Sequence, residues 1–421
     1  MRIPRRTATL ALLPIVFLGV LPAQSSFSLK DGDRVVFYGD SITDQRLYTT
    51  FIETYVLTRF PQMKVTFVHS GVGGDRVTGG AAGPIDVRLP RDVVAYKPTV
   101  MTIMLGMNDG SYRAFDQKIF DVYASGYKHI IDTAKAALPG IRITVIDPSP
   151  YDDVTRPPAF EGGYNKVLVR YGEFVKELAR KDDLTVADLN TPVVNALEKA
   201  NQLDAETAKK LLPDRVHPGP AGHLLMAEAL LKAWHAPAIV TAVEIDAAGA
   251  KVVTAINTQV PEFAAIGGRL AWTQNDAALP MPVDLKDTST QLALRASDFM
   301  DALDEEPLKI TGLSAARYNL KIDGESAGTF TKEELAIGIN LARQATPMSK
   351  QAAEVHDLTL RHNVVHFARW RLVDVNLEKV QVEPAHLHAA DEALDALEQD
   401  VVAQQRAAAQ PKPHHYELIP E

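Results

Sequence analysis

The sequence predicts an α/β fold: a three-layer α/β/α domain on a doubly wound parallel sheet, followed by a small β-module and C-terminal helices. Two observations predict it. Over residues 30–236 short apolar runs alternate with segments of helical period, the β-α-β rhythm of a parallel sheet. Past Ala236-Pro237 the texture changes to short β-like runs and then back to helical spacing.

The chain begins with a basic stretch, Met1-Arg2-Ile3-Pro4-Arg5-Arg6, and an apolar run over Leu10–Leu21 that is short for a bilayer span. Residues 1–23 therefore read as a signal peptide cleaved after Ala23, the alternative being an uncleaved anchor. Strands are expected at Val35-Val36-Phe37-Tyr38, Val65-Thr66-Phe67-Val68, Val100–Met104, Ile141–Ile146 and Leu184–Ala187. Helices are expected near 45–59, 117–137, 162–180, 192–211 and 221–235; in the last, Ala221, Leu224, Leu225, Ala227, Leu230 and Leu231 recur at helical spacing. Residues 30–236 thus form one domain. Residues 241–330 read as a small antiparallel β-module, with runs at 243–245, 251–254, 268–272 and 308–310, and a hairpin over Tyr318–Phe330 turning at Asp323-Gly324. Residues 331–421 read as a helical extension: Thr331-Lys332-Glu333-Glu334 has capping-box form, and 347–371 and 389–408 are helical in pattern, ahead of an extended tail.

Composition narrows the function classes. A 421-residue chain with 46% hydrophobic and 23% charged residues is an ordinary globular protein. Its net charge of −9, made more acidic still by loss of Arg2, Arg5 and Arg6, argues against nucleic acid or an anionic membrane as partner. No stretch beyond the N-terminal run is apolar enough for a membrane span. The absence of cysteine excludes disulfides, thiolate catalysis and Cys-ligated metals, and suits a bacterial periplasmic or secreted protein. No feature sets an oligomeric state.

Four short motifs carry the chemistry. Gly39-Asp40-Ser41 follows the first strand, Gly71-Val72-Gly73-Gly74-Asp75 the second, and Gly106-Met107-Asn108-Asp109 the third; Asp214-Arg215-Val216-His217 opens the last helix of the domain. Strand ends of a parallel sheet share one edge, so these residues can converge there. Together they supply a hydroxyl nucleophile, amide donors for an oxyanion, a base and an acid to orient it, the set that ester hydrolysis needs. Serine is a poor nucleophile until a base such as His217 takes its proton, and Asp214 lies about one turn away. Each motif also has a structural reading: Ser41 as a helix cap, Asn108-Asp109-Gly110 as a turn, His217-Pro218-Gly219 as a helix entry with Asp214 paired to Arg215 or Lys209.

All four motifs, in this order, resemble the blocks of the GDSL, or SGNH, hydrolase superfamily over residues 33–235. The resemblance implies a flavodoxin-like sheet and a serine ester hydrolase needing no cofactor or metal. Ser41 is then the nucleophile, His217 the base and Asp214 its acid. The oxyanion hole falls to Ser41 and Gly74 through their N–H groups and to Asn108 through its side-chain amide. The substrate would be a small acyl ester, with acetylated carbohydrate as first expectation and lysophospholipids, thioesters or aryl esters as the alternative; a non-catalytic glycan-binding protein on a hydrolase core is the rival from another class. No Gly-x-Ser-x-Gly or His-Glu-x-x-His occurs, and His386/His388 and His414/His415 have no carboxylate at ligand spacing.

Other residues take lesser expectations. Asp40 holds the Ser41 loop, Asp44 caps the helix starting near Gln45, and His69 and His223 are structural. Trp272-Thr273-Gln274-Asn275-Asp276 and Arg369-Trp370-Arg371 are core aromatics and ion pairs or, failing that, a sugar-stacking surface. Asn340 is a candidate lid residue over the catalytic edge.

Overall fold

The computed structural model describes residues 26–377, 380 and 383–421; the expected signal peptide, 1–23, lies outside the described residues. The N-terminal part is built on five strands, β1 (Arg34–Gly39), β2 (Thr66–Gly71), β3 (Val100–Met104), β4 (Arg142–Ile146) and β5 (Thr185–Ala187). They pair in the order β2-β1-β3-β4-β5, all parallel. Helices cover both faces, which is why β1 and β3 are continuous apolar runs rather than alternating ones. The chain enters at β1, moves out to β2, then returns past β1 to β3. The order reverses between β1 and β3, and a crevice opens at their C-terminal ends.

The helices follow from local sequence. Asp116 caps Gln117–Ala137, its Oδ1 accepting the N–H of Lys118 at 2.9 Å, and the stripe Tyr123, Tyr127, Ile130, Ile131, Ala134 packs inward. Pro220 occupies the first turn of Pro220–Ala233, where its missing N–H is no loss. Leu47–Arg59 is buried nearly all round because Pro220–Ala233 flanks it on one side and Pro347–Phe367 on another.

Beyond residue 236 two sheets enclose a second core. One holds Ala242–Asp246, Lys251–Ile256, Pro307–Thr311 and Ile339–Asn340; the other holds Thr258–Ile266, Arg269–Asp276, Arg317–Ile322, Glu325–Thr331 and His414–Pro420. The hairpin at Asp323-Gly324 has φ of 53° and 82° at its two central residues, the positive pair that a tight turn between twisted strands needs. Two features depart from the sequence expectation. Ala242–Asp246 pairs parallel with Pro307–Thr311, the long intervening chain returning to the same sheet, so the module is not wholly antiparallel. The 331–421 extension is not wholly helical either: His414–Pro420 lies between Arg269–Asp276 and Arg317–Ile322, antiparallel to both. Alternate burial of His414, Tyr416 and Leu418 drives this, with Tyr416 stacked on Trp272 at 5.0 Å.

The helices Thr288–Ala296 and Phe299–Leu303 leave the module and pack on Asn190–Leu203 and Pro220–Ala233. Pro347–Phe367 and Pro384–Ala408 pack together, the former against Leu47–Arg59, around a buried polar cluster. Glu53 meets His362 Nδ1 at 2.9 Å, His69 Nε2 at 3.1 Å and Gln405 Nε2 at 3.0 Å. Glu398 meets His362 Nε2 and His366 Nδ1 at 3.2 Å each and Arg369 Nε at 2.8 Å. Burial opposes every charge here, but the two carboxylates carry His362 up to about 10, and the two histidines hold Glu53 down to about 2. Burial pushes His69 down to about 4, so it is neutral, and its Nδ1 meets Thr49 Oγ1 at 2.8 Å. Among the described residues no helix is long and apolar enough to cross a membrane.

Candidate active site

The motif residues meet at the C-terminal edge of the sheet. Asp40, fully buried, follows β1 and accepts the Ile42 N–H at 3.0 Å; it, not Ser41, caps the short helix Ser41–Asp44. Burial pushes the Asp40 carboxyl up to about 7, with Asp109 adding repulsion. Gly39 is required at the turn, because a β-carbon there would lie 2.2 Å from Thr43 Oγ1 and 2.8 Å from the Met104 carbonyl.

Ser41 Oγ lies 2.8 Å from His217 Nε2, and His217 Nδ1 lies 2.7 Å from Asp214 Oδ2. The other Asp214 oxygen accepts the N–H groups of Val216 at 3.0 Å and His217 at 2.7 Å, which locks the loop ahead of Pro220–Ala233. Burial would raise the Asp214 carboxyl, but these N–H groups and the imidazole outweigh it and hold it below the usual range. An ionised Asp214 keeps the imidazole proton on Nδ1, so Nε2 accepts from Ser41. The Asp214 side chain is 57% exposed, so this arrangement faces open solvent.

Among the described residues the N–H groups of Ser41 and Gly74 have no acceptor, and Gly74 takes φ of 75°. Asn108 Nδ2 donates to the Asp75 carbonyl at 3.0 Å, while Tyr112 Oη donates to Asn108 Oδ1 at 3.0 Å, fixing the amide and leaving its second N–H free. The surrounding loops are tied down by buried groups. Asp109 Oδ1 accepts the Val77 N–H at 3.0 Å. Arg88, wholly buried, pairs with Asp75, with Asp92 Oδ2 at 2.8 Å and with the Ser70 carbonyl at 2.8 Å. Trp370 Nε1 donates to Asp92 Oδ1 at 2.9 Å and its ring packs with Val72 and Ala82, so the C-terminal extension reaches the loop that carries Gly74.

Several expectations resolve here. Asp44 caps no helix: its Oδ2 accepts the Gly73 N–H at 3.2 Å and its Oδ1 meets Arg46 Nη1 at 3.3 Å. Arg46 stands at the N-cap of Leu47–Arg59 instead. Asn340 is not a lid; its amide is engaged by the Asp304 carbonyl and the N–H groups of Glu306 and Ala342. Trp272 and Trp370 are each 1% exposed and cannot stack on a sugar. His223 is buried, accepting from the Tyr48 N–H at 3.3 Å. His414 pairs with Asp323 at 2.6 Å, and among the described residues no group of three or more His, Asp or Glu is placed to hold a metal ion. Tyr112 and Arg88 carry no motif of their own; the aromatic just after Asn108-Asp109-Gly110-Ser111 is the one legible signal.

A cleft of about 680 Å³ opens beside Ser41 and His217, walled by Asp44–Leu47, Pro213-Asp214, Pro218–Pro220 and, from the extension, Phe367. A parallel sheet with a reversal point thus carries Ser41, His217 and Asp214 hydrogen-bonded in line at its edge. Residues 37–225 match the model of the GDSL-like lipase/acylhydrolase family. This part of the chain is a GDSL/SGNH domain, and the protein is a carboxylic ester hydrolase of that type with an extension beyond the matched region. It is 25% identical to an acetylxylan esterase of Geobacillus stearothermophilus over 48% of this chain and 93% of that protein. A solved gut microbial diltiazem-metabolizing enzyme resembles nearly all of it: TM-score 0.81 and 26% identity, over 94% of this chain and 100% of the other. That second likeness spans the hydrolase domain, module and C-terminal helices together.

Proposed function

We propose that the protein is an exported serine esterase that cleaves small acyl esters through an acyl-Ser41 intermediate. The observation that carries this reading is the continuous hydrogen-bonded line from Ser41 Oγ through His217 to Asp214, at 2.8 and 2.7 Å. His217 Nε2 takes the Ser41 proton as Oγ bonds to the ester carbonyl carbon. The oxyanion forms against the N–H groups of Ser41 and Gly74 and the Asn108 amide. The same imidazole then gives its proton to the departing alcohol, leaving the acyl group on Ser41. Water, deprotonated by His217, adds to the acyl carbon; the carboxylic acid leaves and Ser41 regains its proton. Asp214 stays ionised and stabilises the imidazolium.

The cleft supports a short acyl group on a polar alcohol. It is open, and Asp44, Arg46 and Asp214 line it with charge. The acetylxylan esterase among its relatives makes acetylated polysaccharide the first substrate class to test, with small-molecule esters beside it. The basic and apolar N-terminus supports export to a bacterial periplasm or medium. The test is hydrolysis of p-nitrophenyl esters from acetate to palmitate by wild type and Ser41→Ala. Activity greatest on acetate and lost in the variant supports the reading. Activity that rises with chain length moves the substrate to lipids, and activity that survives in Ser41→Ala overturns the mechanism.

A further inference from the structure

We propose that Arg46, held by Phe367 of the C-terminal extension, is a specificity residue that selects esters carrying an anionic group, a carboxylate or one of similar size, near the scissile bond. The proposal deepens the esterase reading and rests on it.

Four observations converge on Arg46. It lines the same cleft as Ser41 and His217. Its guanidinium lies over the Phe367 ring, 4.3 Å from the centroid, so its plane is fixed before any ligand arrives. Its backbone sits at φ 58°, a left-handed conformation that a long side chain rarely adopts, where a plain helix entry would take Ser, Asp or Gly. The only hydrogen bond its side chain makes among the described residues is the single 3.3 Å contact of Nη1 with Asp44. A guanidinium has five donors in a planar fork matched to a carboxylate, and here most of the fork is unused at 25% side-chain exposure.

The charge balance agrees. Asp44 spends its other oxygen on the Gly73 N–H and lies in the field of a second cation, Arg371, whose Nη1 is buried without a hydrogen-bond partner among the described residues. Asp44 thus faces two guanidinium groups, the second of which also lies in the field of Asp92. The remaining acid of the cleft wall, Asp214, is engaged by His217. A structural Arg would be expected to spend both terminal nitrogens of its fork on the chain, as Arg59 does with Nη1 on the Pro237 carbonyl and Nη2 on that of Leu303.

The extension therefore has a part in selectivity. Phe367 ends the helix Pro347–Phe367, and the chain continues as a π-helical turn over Ala368–Val375, a widening often found at functional sites.

Two probe pairs test this, each matched in shape but not in charge. p-Acetoxybenzoate against p-acetoxybenzamide places the carboxylate on the alcohol side, and p-nitrophenyl hemisuccinate against p-nitrophenyl valerate places it on the acyl side. Wild type should favour the anionic member of at least one pair, with the preference falling as salt is raised. Arg46→Gln should lower the anionic-to-neutral ratio of kcat/KM about tenfold, chiefly through KM, and Arg46→Lys should restore part of it. Phe367→Leu, which keeps the charge but frees it, should lower the ratio in the same direction. A ratio equal in wild type, Arg46→Gln and Phe367→Leu, while neutral probes are still turned over with Ser41, overturns the proposal and leaves the esterase reading standing. Loss of Ser41-dependent turnover on every probe overturns both.

Discussion

His362→Gln tests how the C-terminal helices are held to the hydrolase domain. The substitution removes a cation shared by two buried carboxylates, Glu53 and Glu398, at 2.9 and 3.2 Å. Glu398 keeps Arg369 and His366, whereas Glu53 keeps only a neutral His69 and Gln405, so the uncompensated charge falls mainly on Glu53. Breaking one partner of a buried pair costs about 3–5 kcal/mol, and Gln, which can still donate one N–H, places the loss near about 3 kcal/mol. The pH dependence has a definite sign. His362 is raised from 6.5 to about 10, so its contribution is complete below 6.5 and is lost as pH rises through about 10. Glu53 is lowered from 4.5 to about 2, so its contribution is complete above 4.5 and is lost as pH falls through about 2. The gap between wild type and variant is therefore widest between about pH 4.5 and 6.5 and narrows as pH rises from about 6.5 to about 10. Urea unfolding near pH 6 and near pH 10.5, with hydrogen exchange followed in Pro347–Phe367, measures it. A gap below about 0.5 kcal/mol near pH 6, or one unchanged at the higher pH, would refute the reasoning.

Three further outcomes are expected. On the proposed mechanism Asn108→Ala should lower kcat on p-nitrophenyl acetate by about 10²–10³-fold with little change in KM, because its free N–H would serve the oxyanion alone. Gly39→Ala should destabilise the domain by about 3 kcal/mol in thermal unfolding, since the new β-carbon would sit 2.2 Å from Thr43 Oγ1 and 2.8 Å from the Met104 carbonyl, a backbone atom that cannot swing away. Glu306 is buried, both its oxygens lack partners among the described residues, and burial, then Asp276 and Asp304, raise its carboxyl well above 4.5. Its neutral form is favoured by folding, so that stability is present below 4.5 and declines as pH rises; Glu306→Gln should flatten the decline, read as melting temperature between about pH 5 and 8.

The hydrolase domain was legible in the sequence because its signals are local. A strand buried on both faces is a continuous apolar run, and each motif stands directly after such a run or before a helix. What escaped is tertiary. His414–Pro420 has period-two burial, but nothing in seven residues says which distant strands it joins. Asp44 had the look of a helix cap, yet Gly73 and Arg46 claimed its oxygens. Asn340 was an amide in an apolar setting, and its partners proved to be backbone groups of the Asp304–Glu306 turn. Arg46 and Phe367 carry no motif; only folding brings the ring under the guanidinium.

The place of His414–Pro420 has a consequence for how the chain is made. Until residue 420 has left the ribosome, Arg269–Asp276 and Arg317–Ile322 face each other across an empty lane, each with an unpaired rim of N–H and C=O groups beside apolar side chains. A nascent chain stalled in that interval offers two adhesive edges to any neighbour.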